Sequence, residues 1–179
     1  TRFLFREDET RTDFDAEVLE VLEKDGTTYV VLDKTCFYPT SGGQLHDTGT
    51  LGDHQVTDVI KQDGVILHEL DGRDIEAGER IHGSIDWERR QQLMQHHSAT
   101  HLVNGAAKSV LGNHVWQAGA KKTEDKGRLD ITHYAQLTAD ERQAIQEKAN
   151  ELVEDGVPVH KDVMKKSDAE QQYGFRIYQ

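Results

Sequence analysis

The residue run with the clearest chemical potential is Gln95-His96-His97-Ser98-Ala99-Thr100-His101. His97 and His101 are four positions apart, and on an α-helix such a pair shares one face, with Cβ atoms about 5 to 6 Å apart. Imidazole nitrogen is a good ligand for Zn²⁺, which needs three or four protein ligands in a tetrahedral site. The spacing therefore fits half of a zinc site, and it also fits two partly buried histidines with ordinary hydrogen bonds. His96 has threonine rather than a strong zinc ligand four positions on, so we give it a supporting role at most.

A second run of interest is Phe37-Tyr38-Pro39-Thr40-Ser41-Gly42-Gly43-Gln44. Two adjacent glycines allow the backbone to approach a ligand closely, and the neighbouring hydroxyl, amide and N–H groups could bind it. The alternative is an ordinary turn between two strands. The polar neighbours of the glycines favour a binding loop.

The first half of the chain has the pattern of antiparallel β-structure. Apolar and polar residues alternate on both sides of Asp25-Gly26 and again on both sides of Asp63-Gly64, and Asp-Gly is a strong hairpin signal. Residues 81–87 add another short strand. Residues 1–88 are therefore predicted to form a small antiparallel barrel or sandwich rich in glycine.

The second half changes to helical periodicity. Apolar residues at spacings of three and four predict a helix over 88–111, which ends at Gly112. A second helix begins at Thr138, which forms a capping-box signature with Glu141, and ends at Gly156.

Four further strands are predicted in this half, at residues 114–118, 127–134, 158–164 and 175–178. The fold class is α+β, with a β-barrel-like subdomain at residues 1–88 and a helix-plus-sheet core at residues 89–179. We expect helices on one face of an antiparallel sheet in the second part.

Composition and charge argue for a globular cytosolic protein but against a generally basic RNA-binding surface. The net charge is −12, whereas contact with phosphates is ordinarily made by basic surfaces. Local basic patches remain possible, and their candidate members are Arg89, Arg90, Lys121, Lys122, Lys126, Arg128, Lys161, Lys165 and Lys166. No run approaches the length of a membrane span and no signal layout is visible, so a cytoplasmic location is expected. The single cysteine, Cys36, is interpreted as a small buried hydrophobe.

Several motifs, taken in order, resemble one known family. The motifs are Phe37-Tyr38-Pro39-Thr40-Ser41-Gly42-Gly43-Gln44, Asp47-Thr48-Gly49, His97-Ser98-Ala99-Thr100-His101-Leu102 and His114-Val115-Trp116-Gln117-Ala118-Gly119. Together they resemble the editing domain of alanyl-tRNA synthetases and of their free-standing AlaX relatives, and the run at residues 128–134 is similar to the archaeal synthetases. The resemblance covers nearly the whole chain. It implies a barrel-like subdomain followed by an editing core related to that of threonyl-tRNA synthetases.

In the family, the histidine pair shares Zn²⁺ with a later Cys-x-x-x-His motif. His97 and His101 match the first pair, and two further ligands are expected downstream of residue 179 because Cys36 precedes the histidines. The resemblance thus implies an incomplete zinc site, with poor zinc binding and weak or no activity for this segment alone.

The resemblance also implies roles for individual residues. The substrate is the aminoacyl ester at the acceptor end of tRNA(Ala), wrongly charged with serine or glycine. Thr40 matches a threonine that meets the serine hydroxyl, and Gln117 matches a glutamine that orients the water or the ester. Gly42, Gly43 and Gln44 would line the site of the 3′ adenosine. Either glutamine could instead be a structural hydrogen-bonding residue.

Three interpretations remain open. They are part of a full synthetase, a free-standing AlaX-type deacylase that acts on tRNA in trans, and a non-catalytic tRNA-binding module. The first residue, threonine instead of methionine, and the expected downstream ligands favour the first. The arrangement predicts one cleft lined by Thr40, Gln44, His97, His101 and Gln117.

Overall fold

The computed structural model describes residues 1–160 and 162–178, and it confirms the predicted α+β class. No helix among these residues is both long and apolar enough to cross a membrane. The described residues form two compact units. The barrel unit comprises Thr1–His97 with Lys121–Gly127, and the helical unit comprises Ser98–Ala120 with the described residues from Arg128 onward. The division into domains at residues 1–88 and 89–179 stays a prediction.

The barrel unit is built on six antiparallel strands that close into a barrel. In spatial order the strands are β2 (Asp13–Lys24), β3 (Thr27–Leu32), β7 (Val65–Leu70), β6 (His54–Gln62), β5 (Gly49–Leu51) and β8 (Arg80–Ile85). Outside the barrel, two short strands, β1 (Arg2–Phe3) and β4 (Lys34–Thr35), pair in parallel. α1 (Leu4–Glu7) is a single helical turn that follows β1. Every neighbouring pair in the barrel is antiparallel, as the alternating sequence pattern requires.

Both predicted Asp-Gly hairpins are confirmed. Asp25 and Gly26 have φ of 53° and 82°, and Asp63 and Gly64 have φ of 49° and 85°. Two successive positive φ values define the tight turn whose twist matches that of the flanking strands. These turns fix the register of β2 with β3 and of β6 with β7, and therefore decide which residues face the barrel interior.

The barrel interior is a single apolar cluster to which the strands contribute alternate residues. Fully buried members include Val18, Val30, Leu32, Phe37, Leu51, Val59 and Ile66. The seam between β5 and β8 is especially close. A Cβ atom at Gly49 would lie 2.1 Å from the Ser84 carbonyl oxygen, so only glycine fits there.

The helical unit contains the second predicted helix and the end of the first. α2 covers Trp87–Leu111 and is followed by Gly112, whose φ is 111°. α3 covers Ala139–Glu154, and Thr138 caps it with the reciprocal bonds of a capping box. Both helix predictions are confirmed. Within this unit, a small apolar cluster joins α2 to α3 through Ala106, Ala107, Val115 and Ile145.

The strand predictions of the second half need correction. The observed two-stranded sheet pairs β9 (Gln117–Lys122) with β10 (Gly127–Ile131), so the first predicted strand begins three residues later than expected and the second ends three residues earlier.

The two last strand predictions are wrong within the described residues. Residues 158–160 and 162–164 form no strand, Lys166–Tyr173 form α4, and Gly174–Tyr178 form a 3-10 helix. Val159 and Val163 are 89% and 92% exposed. Alternation without a partner strand or a core to face does not produce a strand.

Candidate functional site

The two adjacent glycines form the tip of a tight turn. Ser41 and Gln44 exchange both backbone hydrogen bonds, at 3.0 and 2.9 Å, and Gly42 and Gly43 between them have φ of 58° and 76°. Two positive φ values in a two-residue loop favour glycine strongly. The geometry of the turn therefore explains why both residues are glycines. The candidate substrate-binding residues Gly42, Gly43 and Gln44 all lie in this turn.

This turn lies against His97 within the barrel unit. A Cβ atom at Gly42 would come within 3.4 Å of Cε1 of His97. Gln44 is buried, and its side-chain oxygen Oε1 lies 2.9 Å from Nδ1 of His97. The amide oxygen is an acceptor, so His97 donates from Nδ1 and its tautomer is fixed. The role of Gln44 beside the adenosine, which the family resemblance implies, stays a prediction, and in the structure its side-chain oxygen contacts the histidine.

A buried lysine braces the turn from the other side. Lys122 is 1% exposed, its ammonium group donates to the carbonyl oxygen of Gly42 at 2.8 Å, and its backbone N–H donates to Gly43 at 2.7 Å. Burial lowers the pKa of Lys122, because the charged form is penalised away from water. The turn is thus held by both the backbone and the side chain of one residue.

The base of the loop is closed by a buried ion pair. Asp47 is 0% exposed and accepts a hydrogen bond from the backbone N–H of Tyr38 at 2.6 Å. Arg90, on α2 and 2% exposed, donates from Nε to both Asp47 oxygens and pairs with the carboxylate through Nη2 as well. Its remaining bonds go to the carbonyl oxygens of Cys36 and Glu9, at 2.6 and 2.9 Å. Arg90 therefore fastens the loop to the start of the histidine helix.

These contacts correct part of the proposed basic surface. Arg90 and Lys122 are buried, so neither can meet phosphates. Arg89 is largely covered, donates to the carbonyl oxygen of His46 at 3.1 Å and pairs with Glu124. Lys161 lies outside the described residues. The assignment of Arg90 and Lys122 to surface patches is therefore wrong, because both cations are buried in the barrel unit.

Thr40 stands on the exposed side of the loop. Its hydroxyl oxygen accepts a hydrogen bond from the backbone N–H of His46 at 3.1 Å and lies 3.3 Å from Nδ1 of the same residue. His46 in turn pairs with Asp58 at 3.0 Å. Thr40 therefore supports its own loop, and its exposure also leaves it accessible to a substrate.

The remaining histidines of α2 differ in their surroundings. His96 is tied between Gln92 and the Thr123 carbonyl oxygen, at 2.9 and 2.7 Å, which agrees with its exclusion as a first-choice ligand. His101 lies one helical turn after His97 and is exposed. Among residues 1–160 and 162–178, the His, Cys, Asp and Glu side chains form no group of three or more that could hold a metal ion.

The helical unit contains two buried amide oxygens without a hydrogen-bond partner. They belong to Gln117, at the start of β9, and to Asn104, on α2. Buried acceptors are nearly always paired in folded proteins, so each of these oxygens requires an explanation. Gln117 was predicted as a catalytic residue from the sequence, whereas Asn104 was not singled out.

Cys36 is buried, and burial raises the pKa of its thiol to about 11. A thiol in this state is a poor nucleophile at neutral pH. The interpretation of Cys36 as a small buried hydrophobe agrees with its position in the barrel core.

Two larger surface concavities lie away from the predicted site residues. One, of about 620 Å³, is in the helical unit and is lined by Gly105, Lys108, Ser109, Asn113, Trp116, Tyr173 and Arg176. The other, of about 740 Å³, is lined by residues 73–79 of the barrel unit. Both are open grooves, and neither is lined by the glycine turn or by His97. The prediction of one cleft shared by Thr40, Gln44, His97, His101 and Gln117 involves both units and stays a prediction.

Comparison with known proteins identifies related sequences across the whole chain. Residues 9–89 match a family described as class II (A) tRNA synthetases. The full chain is 44% identical to a segment of the alanine–tRNA ligase of Methanococcus maripaludis strain C6, 47% identical to one in Thermofilum pendens, and 48% identical to one in Natronomonas pharaonis. In each case the match covers 100% of this chain and 20% of the relative. The chain thus spans about a fifth of the length of these relatives.

Proposed function

Since this chain is homologous over its full length to part of the alanine–tRNA ligases, we propose that it is an editing region that hydrolyses tRNA(Ala) esters wrongly charged with serine or glycine. A pocket that admits alanine excludes glycine weakly, and it excludes serine, larger by one hydroxyl, with similar difficulty. A second, hydrolytic site can restore fidelity. The tRNA acceptor end would be its partner.

The observation that carries the proposal is the contact between the glycine turn and His97. The turn presents exposed backbone beside an imidazole whose tautomer is fixed by Gln44, at 2.9 Å. Histidine ligands of zinc commonly donate their second ring N–H to an oxygen acceptor, which orients the ring and raises its basicity. The Gln44–His97 bond is an arrangement of this kind.

Two of the residues present have the chemistry and spacing to serve as zinc ligands. His97 and His101, one turn apart on α2, would supply two imidazole ligands, and the other two would come from outside the described residues or from water. A bound zinc ion would supply Lewis acidity, which polarises an ester carbonyl or lowers the pKa of a water molecule. In this proposal Gln44 holds His97 in the ligand tautomer, and Lys122 and Arg90 hold the turn in place.

Two further residues would act on the substrate itself. Thr40 would meet the side chain of the aminoacyl group, so that its hydroxyl favours serine over an apolar side chain. Gln117 would use its unpaired buried oxygen to accept a hydrogen bond from the attacking water. Both roles require groups that the substrate or solvent provides.

Single-turnover hydrolysis of seryl-tRNA(Ala) tests the proposal. In the complete gene product that carries this chain, His97→Ala and His101→Ala are each expected to abolish hydrolysis and to reduce the amount of zinc bound per protein molecule. The far-ultraviolet circular dichroism spectrum should stay unchanged. His96→Ala is the matched control on the same helix and should retain most activity. Full activity in the two ligand variants would refute the zinc-dependent mechanism.

Thr40→Val tests side-chain selectivity. Valine keeps the shape but removes the hydroxyl, so hydrolysis of seryl-tRNA should fall by about 10-fold or more while hydrolysis of glycyl-tRNA falls less, because glycine has no hydroxyl to contact. Equal losses for the two substrates would show that Thr40 only supports the loop through His46.

A further inference from the structure

Asn104 combines burial, an unpaired acceptor and a position beside a proposed ligand. The residue is 7% exposed and its side-chain oxygen has no hydrogen-bond partner. Leaving a buried acceptor unpaired is unfavourable, so an amide with an unpaired oxygen in this place requires an explanation. A buried polar group in this state is best explained by a partner that arrives with a ligand.

The position of Asn104 on α2 identifies its neighbour. Asn104 follows His101 by three residues, and side chains at this spacing lie on the same helix face with Cβ atoms about 5 to 6 Å apart. His101 is exposed to solvent, whereas Asn104 is buried in the helical unit. The same helix face therefore has one residue at the surface and the other in the interior. On the helical spacing alone, a ligand that contacts His101 from this face would lie next to Asn104.

We propose that Asn104 is a substrate-binding residue whose side-chain oxygen accepts a hydrogen bond from the α-amino group of the aminoacyl ester. This inference rests on the proposed editing function. Every aminoacyl ester carries the amino group, whatever its side chain, and this group is a donor rich in N–H bonds. The Asn104 oxygen, which has no donor among the described residues, complements such a group. The hydrogen bond is stronger when the amino group is charged than when it is neutral.

The amino group accounts for the unpaired oxygen better than the other donors of the substrate. The serine hydroxyl is absent from glycine, so an acceptor dedicated to it would stay unpaired with one of the two substrates. Thr40 is already proposed for that hydroxyl. An acceptor for the common amino group serves both substrates equally, and Asn104 therefore contributes to binding rather than to the choice between serine and glycine.

The first test is thermal unfolding of this chain. Asn104→Leu preserves the branched shape and removes the unpaired oxygen, so we expect a higher melting temperature than in the wild type. Thr28→Val is the matched control, because the Thr28 hydroxyl is also buried and unpaired but lies in the barrel unit. It should raise the melting temperature and leave hydrolysis unchanged. A lower melting temperature for Asn104→Leu would show that the amide is already satisfied, for example by water, and would overturn the proposal.

The second test compares seryl-tRNA(Ala) with N-acetyl-seryl-tRNA(Ala) in single-turnover hydrolysis by the complete gene product. Acetylation removes the charge and most N–H donors of the amino group. Asn104→Leu should slow hydrolysis of the free amine about 10- to 100-fold, chiefly through weaker binding, and should change hydrolysis of the acetylated substrate by less than about 3-fold.

The outcomes of the second test are distinct. Equal losses with both substrates, or no loss with either, would refute the role of Asn104 while leaving the editing function intact. With glycyl-tRNA(Ala) assayed in parallel, a larger loss for the seryl than for the glycyl ester would assign the oxygen to the side chain instead and would equally refute the proposal. A wild-type protein that hydrolyses neither substrate would refute the editing function itself, and this inference with it.

Discussion

The buried histidine of the barrel should make the stability of this protein fall as the solution becomes mildly acidic. His68 is fully buried, and burial lowers the pKa of its imidazole to about 4 from an ordinary value of 6.5. Nδ1 donates to the Val30 carbonyl oxygen at 3.0 Å, so Nε2, 2.8 Å from the Thr35 hydroxyl, accepts from it. Both bonds suit the neutral ring, and burial penalises its charged form.

The sign and size of the effect follow from this pKa difference. Between pH 6.5 and pH 4 the unfolded chain binds a proton at His68 that the folded chain does not, so the free energy of unfolding falls as the pH falls through that window. One unit of pKa corresponds to about 1.4 kcal/mol, and the loss from this residue is therefore about 2 kcal/mol between pH 7 and pH 5.

Urea unfolding at several pH values, followed by circular dichroism, measures this loss. His68→Gln keeps a donor and an acceptor in the side chain but does not titrate, so its free energy of unfolding should be lower at pH 7 and should decline by about 2 kcal/mol less than that of the wild type on going to pH 5. Parallel declines in the two proteins would refute the assignment of a neutral, buried His68.

Four further substitutions test the fold. Gly49→Ala should destabilise the barrel by about 2 kcal/mol or more, because its Cβ would lie 2.1 Å from the Ser84 carbonyl oxygen, whereas Gly105→Ala, in an open part of α2, should stabilise the protein by about 1 kcal/mol; urea unfolding measures both. Thr138→Ala should cost about 1 kcal/mol through loss of the capping box, and an unchanged urea midpoint would contradict this. Asp47→Asn should cost about 3 to 5 kcal/mol, since it leaves the Arg90 charge buried without its anion, and a loss below about 1 kcal/mol would show that the pair is not needed.

Local signals in the sequence predicted the parts of the fold that depend on local chemistry. The Asp-Gly pairs set two hairpins because both residues must adopt positive φ, and Thr138 with Glu141 set a helix start because the two side chains satisfy orphan backbone donors. α4 was missed since its sequence, KSDAEQQY, has no apolar stripe, and its described side chains are mostly exposed. The strand predicted at residues 158–164, which is absent from residues 158–160 and 162–164, shows the converse, because alternation does not reveal whether a partner strand exists.

Part of the candidate site was predictable from the sequence, whereas the residues that support it were not. Short motifs singled out Gly42, Gly43, Gln44 and His97, which the structure brings together. The burial of Arg90 was not predictable, because its carboxylate partner lies 43 positions away and only the closed barrel brings them together. Lys122 was likewise interpreted as a surface cation, although its ammonium group braces a loop 80 positions earlier. A charge is assigned to the surface by default, and long-range contacts alone overturn that assignment.

The hydrolysis of three charged forms of one tRNA tests the central claim most directly. Seryl-, glycyl- and alanyl-tRNA(Ala) are incubated separately with an excess of the complete gene product that carries this chain, and the fraction of ester remaining is followed over time. The account predicts rapid loss of the seryl and glycyl esters with the alanyl ester spared, and loss of this activity in His97→Ala. Hydrolysis of all three at the rate of the buffer control, or equal hydrolysis of alanyl- and seryl-tRNA(Ala), would contradict it.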